Sequence, residues 1–268
     1  MAVELVFQKK SKMLSNITDS MIMIKRSSTH IIRNTDQLLG AFFQPIMFLV
    51  LFSAVFGGAV SLALPEGVSY LSFLMAGIIV QTVAFGSTTT AIAICNDLQK
   101  GIVDRFRSLP MSNLAVLNGH VISDVFRNSI STVVMLLAGL VMGFRSQASF
   151  TDWLMIAGIL LLFTLAFSWL AAIIGVMAKS VEAVQWLTFI IVFPLTFAST
   201  AFVPAEGMNT YLRAFAENQP ITQVVEAVRA LMLGQPIGNY GWLAVGWSLL
   251  ILVIAVPTAT YLFNRKSN

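Results

Sequence analysis

Long apolar stretches without charge alternate with shorter polar segments along the chain, and this pattern predicts six membrane-spanning helices. We place the spans at about residues 38–58, 71–95, 121–144, 153–178, 183–202 and 242–263. Each is close to the ~20 residues that a helix needs to cross the hydrocarbon core. Backbone polar groups in lipid need internal partners, and the short alternating strands of a barrel do not occur in the sequence. The predicted fold class is therefore an all-α membrane protein.

Composition supports lipid as the solvent of this chain. Hydrophobic residues make up 57% of it and charged residues 10%, whereas soluble domains carry about 25% charge. The net charge is +4, but Lys and Arg cluster in short segments beside apolar runs. That distribution is typical of orientation signals rather than of a nucleic-acid-binding face. We expect membrane lipid, and no nucleic acid, as a partner.

The distribution of basic residues predicts the orientation of the helices. The N-terminal segment, the loops after spans two and four, and the C-terminal tail (residues 264–268) share one side, which holds twelve Lys and Arg residues. The opposite side holds only Arg145, Arg213 and Arg229. The positive-inside rule then places both termini in the cytoplasm.

The N-terminal segment, residues 1–37, contains an amphipathic pattern over residues 16–37. Apolar residues recur there near helical spacing, and Lys25, Arg26 and Arg33 occupy the other side. A basic amphipathic helix before a span usually lies in the headgroup plane. The segment is either a membrane-surface anchor or a platform that a cytoplasmic partner binds.

The cytoplasmic loop at residues 96–119 is longer than a simple connection needs. It mixes charged with apolar side chains and contains a proline that ends a helix. The residues concerned are Lys100, Gly101, Asp104, Arg105, Phe106, Arg107, Leu109 and Pro110. A short amphipathic helix of this kind suits docking into a groove of another protein, and an interfacial helix lying on lipid is the alternative.

The outer segment, residues 204–241, contains a second short amphipathic helix, predicted at residues 222–233. Its apolar face is formed by Val224, Val225, Val228, Leu231 and Met232, whereas Glu226 and Arg229 can pair on the other face. Such a helix is too short and too charged to span the membrane. We expect it to dip into the outer leaflet, with residues 208–217 as its partner in a re-entrant hairpin.

No catalytic constellation is visible in the sequence. A phosphate-binding loop requires a Gly-Lys pair, and the chain contains none. If ATP drives the protein, the ATPase must therefore be a separate polypeptide. Asp124 and Arg127 at the start of span three are either a neutralising structural pair or, as the alternative function, the coupling site of an ion-driven secondary carrier. The only two histidines, His30 and His120, have no ligand cluster around them, so no metal site is expected.

Three stretches carry a resemblance to a known family. They are QPIMFLVLFSAVFGGAV (residues 44–60), KGIVDRFRSLPMS (residues 100–112), and FPLTFASTAFVPAEGM continuing to NQPITQVVEAVRALMLG (residues 193–234). In this order they resemble the type 2 ABC exporter permeases, especially the daunorubicin/doxorubicin-resistance branch. The resemblance covers nearly the whole chain.

The resemblance implies a six-span half-transporter in the cytoplasmic (inner) membrane of a prokaryote. Such a subunit would pair with a second permease copy and bind two nucleotide-binding ATPase subunits, which alone would use ATP and Mg. The resemblance assigns ATPase docking to residues 100–112 and to the N-terminal amphipathic helix. For the translocation path or its gating, the candidates are Phe193, Pro194, Thr196 and Phe202, together with Asp124 and Arg127.

Overall fold

The structure, a computed structural model, describes residues 35–65, 67–101 and 113–266, without side-chain detail for residues 35–42 and 113–115. Every regular element in these ranges is helical, so the predicted all-α fold is confirmed. In chain order the α-helices are α1 (Thr35–Ser61), α2 (Tyr70–Gly86), α3 (Thr88–Gln99), α4 (Asn113–Val141), α5 (Phe150–Met177), α6 (Val181–Phe197), α7 (Thr210–Asn218), α8 (Pro220–Met232) and α9 (Tyr240–Lys266).

Five stretches of helix among the described residues are long and apolar enough to cross a membrane. They are Phe43–Ser61, Tyr70–Gln99, Val116–Val141, Phe150–Met177 and Tyr240–Lys266, and they match predicted spans one, two, three, four and six. Helix α6 is shorter, with 17 residues. At 1.5 Å per residue it extends about 26 Å, against a hydrocarbon core of about 30 Å.

Several helices begin or end at residues other than the predicted boundaries. The fifth span was predicted to reach Phe202, but α6 ends at Phe197 and the chain then turns. The loop predicted at residues 96–119 is shorter, because α3 continues to Gln99 and α4 already begins at Asn113. Apolar runs identify the membrane-embedded part of a helix, and they say little about the polar turns that extend it into water.

Polar caps determine where several helices begin. The Ser149 side chain accepts a hydrogen bond from the Asp152 N–H (3.3 Å), and the Asp152 carboxylate accepts one from the Ser149 N–H (2.8 Å), which forms a capping box at the start of α5. Pro220 occupies the first position of α8, where its missing N–H costs no helical hydrogen bond. The helix predicted at residues 222–233 therefore starts two residues earlier.

Helix α5 lies at the centre of the bundle. It packs against α3, α4, α8 and α9, whereas α1 packs mainly on α2 and α4 at the periphery. The short helices α7 and α8 lie at one end of the bundle, which we call the α8 end. The C-terminus of α3 and the N-terminus of α4 flank residues 100–112 in the sequence.

The buried apolar residues form two main cores. The α8-side core joins α2, α8 and the adjoining halves of α4 and α5, with Phe163 and Phe167 among its largest members. The α3-side core joins α3, the start of α4, the end of α5 and the end of α9, around Trp169 and Phe263. Ile251, which is half-buried, packs against both cores.

Candidate functional site

The predicted docking residues lie mostly outside the described residues. This holds for Lys25, Arg26 and Arg33 and for residues 104–110, whose predicted role the structure does not address. Lys100 is exposed at the C-cap of α3, and Gly101 follows with a φ of +62°. A glycine in this left-handed conformation commonly ends a helix, since other residues adopt it at a steric cost. Helix α3 therefore ends at Gln99, with Lys100 as its C-cap.

Asp124 and Arg127 form a buried ion pair in the interior of the bundle. Only 1% of Asp124 is exposed, and its second carboxylate oxygen accepts a hydrogen bond from Ser168 of α5 at 2.5 Å. Both oxygens of Asp124 are therefore bound by protein groups. This arrangement supports the structural-pair interpretation over the ion-coupling one, because a coupling carboxylate needs an oxygen that an ion or proton can reach.

Arg127 also binds the backbone where the predicted second span is interrupted. There α2 ends at Gly86 and α3 begins at Thr88. The Thr90 N–H donates to the Ser87 carbonyl, one residue short of the usual α-helical partner. The Gly86 carbonyl accepts hydrogen bonds from the Arg127 guanidinium (2.5 Å) and from the Thr89 hydroxyl (3.0 Å). Arg127 therefore joins α4 to this interruption between α2 and α3, which we call the kink.

A second polar contact joins α3 to α4 nearer to residues 100–112. The His120 Nε2 atom lies 3.0 Å from Asp97 Oδ2, and both side chains are largely buried. The sequence offered no partner for His120, because Asp97 lies 23 positions away along the chain. The Asp97–His120 pair and the contacts of Arg127 together join α4 to the α2–α3 segment.

Arg229 is a buried functional candidate that the sequence analysis missed. It was placed on the polar face of a short outer helix, but only 5% of it is exposed. The predicted pairing with Glu226 is present at 2.5 Å. In addition, Arg229 donates to the Phe73 carbonyl (3.1 Å) and to the Thr200 carbonyl (2.7 Å). Its guanidinium carbon lies 3.6 Å from the centre of the Phe73 ring, within cation–π range.

These contacts close the α8 end of the bundle around the turn that follows α6. Thr200 of this turn receives Arg229, and the Phe202 carbonyl accepts a hydrogen bond from the Tyr70 hydroxyl at 3.0 Å. The Gln219 amide donates to the Leu195 carbonyl in the last turn of α6 at 2.9 Å. Side chains of α2, of α8 and of its N-cap residue thus pair one carbonyl in the last turn of α6 and two carbonyls of the turn that follows.

The predicted translocation residues fall into two environments. Phe193 and Pro194 lie on the exposed side of α6, whereas Thr196 and Phe202 are buried. Thr196 donates to the Val192 carbonyl within its own helix (2.7 Å). The sequence could not separate these residues, because an uninterrupted apolar run has no periodicity that marks a protein-facing side.

A chain of aromatic rings crosses from α6 to α1 through the buried Phe202. The rings of Phe193 and Phe197 are stacked with centroids 4.2 Å apart, and Phe197 stacks on Phe202 at 4.9 Å. Phe202 in turn stacks on Phe52 of α1 at 4.7 Å. Around these rings α1 and α6 expose large apolar side chains: Phe43, Val50, Val55, Trp186, Phe189 and Ile190. We call this combined surface the aromatic face.

The described residues define a polytopic helical membrane protein whose ionic groups are paired inside the bundle. A family model described as ABC-2 type transporter matches residues 18–233, which is most of the chain. The chain belongs to the ABC-2 type transporter family, as the resemblance predicted.

Curated relatives agree with this assignment. The chain is 31% identical over 235 residues to the daunorubicin resistance ABC transporter permease protein DrrB1 of Streptomyces coeruleorubidus, covering 86% of this chain and 81% of the relative. It is 23% identical over 244 residues to the probable doxorubicin resistance ABC transporter permease protein DrrC of Mycobacterium tuberculosis (91% and 87% covered). Nodulation protein J of Rhizobium leguminosarum is 24% identical over 233 residues (85% and 87%).

Proposed function

We propose that this chain is the transmembrane subunit of an ATP-driven exporter that carries a hydrophobic or amphipathic compound out of the cell. The observation that carries the proposal is membership of the ABC-2 type transporter family, with relatives named as drug-resistance permeases over most of their length. The chain has no Gly-Lys pair and so no phosphate-binding loop of its own. Separate nucleotide-binding subunits would hydrolyse the ATP.

The six-span topology is part of this proposal, with α6 as the short fifth span. The Gln219 amide donates to the Leu195 carbonyl in the last turn of α6, and Arg229 and Tyr70 donate to the Thr200 and Phe202 carbonyls of the turn that follows. Because protein groups pair these carbonyls, a 17-residue helix can end within the membrane. In this topology α7 and α8 form the re-entrant hairpin on the outer side. Both termini and residues 100–112 lie in the cytoplasm of a prokaryotic cell.

The aromatic face is the surface we assign to a second permease copy and to the translocation path. Helix α1 is the least buried of the five long apolar helices, with 11% of its apolar stretch buried inside the bundle. A spanning helix that contacts so little of its own chain leaves a wide apolar surface to be covered by lipid or by another copy. Aromatic side chains with flat faces suit both a protein interface and an apolar cargo.

Docking of the ATPase is tested by co-purification. The chain would be tagged and co-expressed with its proposed ATP-binding cassette subunit, and a Phe106→Ala, Arg105→Glu variant would be compared with the unmodified chain. We expect the variant to retain the ATPase at least roughly 30-fold less well, since loss of an interface hot spot costs about 2 kcal/mol or more. The mass of the intact complex should correspond to two copies of each chain.

The matched control for this experiment is Arg213→Glu at the opposite end of the bundle. Arg213 is half exposed on α7 and pairs with Glu217, so its loss removes a surface charge far from the proposed docking segment. The control should retain the ATPase fully. If the Phe106 and Arg105 variant binds the ATPase as well as the control does, the docking assignment is wrong.

A further inference from the structure

A layer of buried polar residues lies between the two apolar cores, which are also bridged by Ile251. On the α2–α3 segment and on α4, α5 and α9, the buried positions between residues of the two cores include polar side chains. They are Ser87 and Thr90 on the α2–α3 segment, Ser123, Asp124, Arg127, Asn128 and Ser131 on α4, Ser168 on α5, and Ser248 on α9. Apolar cores resist deformation because they are close-packed, so a polar layer between them is where two bodies can shift.

The kink at Gly86 and Ser87 lies within this layer. Residues up to Ala84 on α2 belong to the α8-side core, and Ile94 on α3 belongs to the α3-side core. The kink is therefore the point at which a membrane-crossing segment passes from one core to the other. Helices bend most readily where the regular backbone pattern is already interrupted.

The Asp124–Arg127–Ser168 cluster holds this kink from two neighbouring helices. Arg127 donates to the Gly86 carbonyl, Asp124 neutralises Arg127, and Ser168 of α5 donates to Asp124. An Asn128 side chain would clash with any Cβ added at Gly86, at 2.2 Å, so α4 packs directly on the kink. The cluster is the shared contact of α4, α5 and the kinked segment inside the polar layer.

The α3-side core also contains both helices that flank residues 100–112. Ile94 of α3 and Val116 and Leu117 of α4 belong to it, and the Asp97–His120 contact joins the same two helices. A force applied at the end of α3 would therefore act on the whole α3-side core rather than on one helix.

From these contacts we propose that Arg127 is a positioning residue for energy coupling: it holds the Gly86–Ser87 kink about which the α3-side core turns, as one unit, relative to the α8-side core. This inference rests on the proposed function, because the ATPase subunits supply the movement. Asp124 and Ser168 hold Arg127 in place. The role is a mechanical one, distinct from ion coupling by Asp124.

The movement is tested by distance measurements between paired spin labels in the complete complex with its ATPase. The chain has one cysteine, so labels are introduced in a Cys95→Ala background. One pair, at Lys100 and Arg265, lies within the α3 side, and one pair, at Phe150 and Trp242, lies within the α8 side. A third pair, Lys100 with Phe150, crosses the layer. On trapping with ATP, Mg and vanadate, only the crossing distance should change.

The role of Arg127 is tested with the charge-neutral double variant Asp124→Asn, Arg127→Gln. The amount of ATPase that co-purifies and the rate of ATP hydrolysis should stay near wild type. With daunorubicin as the probe, the amount transported per ATP hydrolysed should fall by roughly tenfold, a typical size for the loss of one coupling element. The shift in the crossing distance should shrink in parallel. Arg127→Lys keeps the charge and one donor, so it should restore part of the distance shift, and Ser168→Ala should reduce that shift partly.

The matched control is Arg213→Gln, Glu217→Gln, which neutralises the exposed pair on α7 and should change neither the ratio nor the distance. If the double variant does not assemble, the inference is tested by the change in the crossing distance in the Arg127→Lys and Ser168→Ala variants. A full crossing shift in both, or a change within the α3-side pair as large as the crossing one, overturns the inference. If the ATPase still co-purifies normally in that case, the proposed function is unaffected. If the unmodified chain does not co-purify with the ATPase, the proposed function itself is contradicted.

Discussion

Replacing Arg229 with alanine is expected to lower the free energy of unfolding by about 3–5 kcal/mol, the cost of breaking a buried ion pair by removing one partner. The change leaves the Phe73 and Thr200 carbonyls without their donor and Glu226 without its counter-charge. It also removes the guanidinium stacked on the Phe73 ring. A shorter thermal inactivation half-life of the purified chain in lipid nanodiscs, which reports faster unfolding, would indicate this loss of stability.

The matched control is Arg213→Ala on α7. Arg213 also forms an ion pair within one helix, with Glu217 at 2.6 Å, but the two side chains are 46% and 43% exposed. Exposed pairs of this kind contribute about 0.3–0.5 kcal/mol, so the control should unfold almost as the unmodified chain does. Equal stability of the Arg229 and Arg213 variants would mean that Arg229 does not secure the α8 end.

Introducing alanine at Gly77 is expected to destabilise the protein by about 1–3 kcal/mol, as overpacking does in close-packed interiors. A Cβ at this position of α2 would lie 2.0 Å from the carbonyl oxygen of Ala201 and 2.7 Å from its carbonyl carbon. Both are backbone atoms, so no side chain can rotate away, and α2 must separate from the turn after α6. The same half-life measurement in nanodiscs would report the loss.

Gly158→Ala on α5 is the comparison for this variant. No atom lies within 4 Å of a Cβ built at Gly158, and the residue is exposed in the middle of a helix. Alanine there should stabilise by about 0.5–1 kcal/mol, because glycine loses more backbone freedom in a helix. The account of Gly77 fails if the two alanine variants change stability in the same direction by similar amounts.

The spanning helices could be predicted from the sequence because the bilayer imposes a length and a polarity that apolar runs display directly. The kink at Ser87 was not predicted, although a Gly-Ser pair such as Gly86–Ser87 is a common site of helix interruption. The hydrogen bond from Arg127 of another helix to the Gly86 carbonyl could not be predicted from the sequence. Local pattern carries no information about such a partner.

The candidate site could be predicted only in part for a related reason. The Glu226–Arg229 pair follows from spacing within one helix and is confirmed. Its burial depends on the turn after α6 and on Phe73, which lies 156 positions away from Arg229. An arginine within a short, mainly apolar helix is the sequence signal that could have identified it. The docking role of residues 100–112 stays a prediction, because residues 102–112 lie outside the described part of the chain.

The central claim, that this chain moves its cargo only when a separate subunit hydrolyses ATP, is tested most directly in proteoliposomes. The purified chain would be reconstituted with and without its ATPase partner, and daunorubicin uptake into inside-out vesicles would be followed by fluorescence quenching. The account predicts uptake only with both subunits and ATP, and loss of uptake when the ATPase carries an inactive catalytic site. Uptake by the chain alone, or uptake driven by a proton gradient in the absence of ATP, would contradict it.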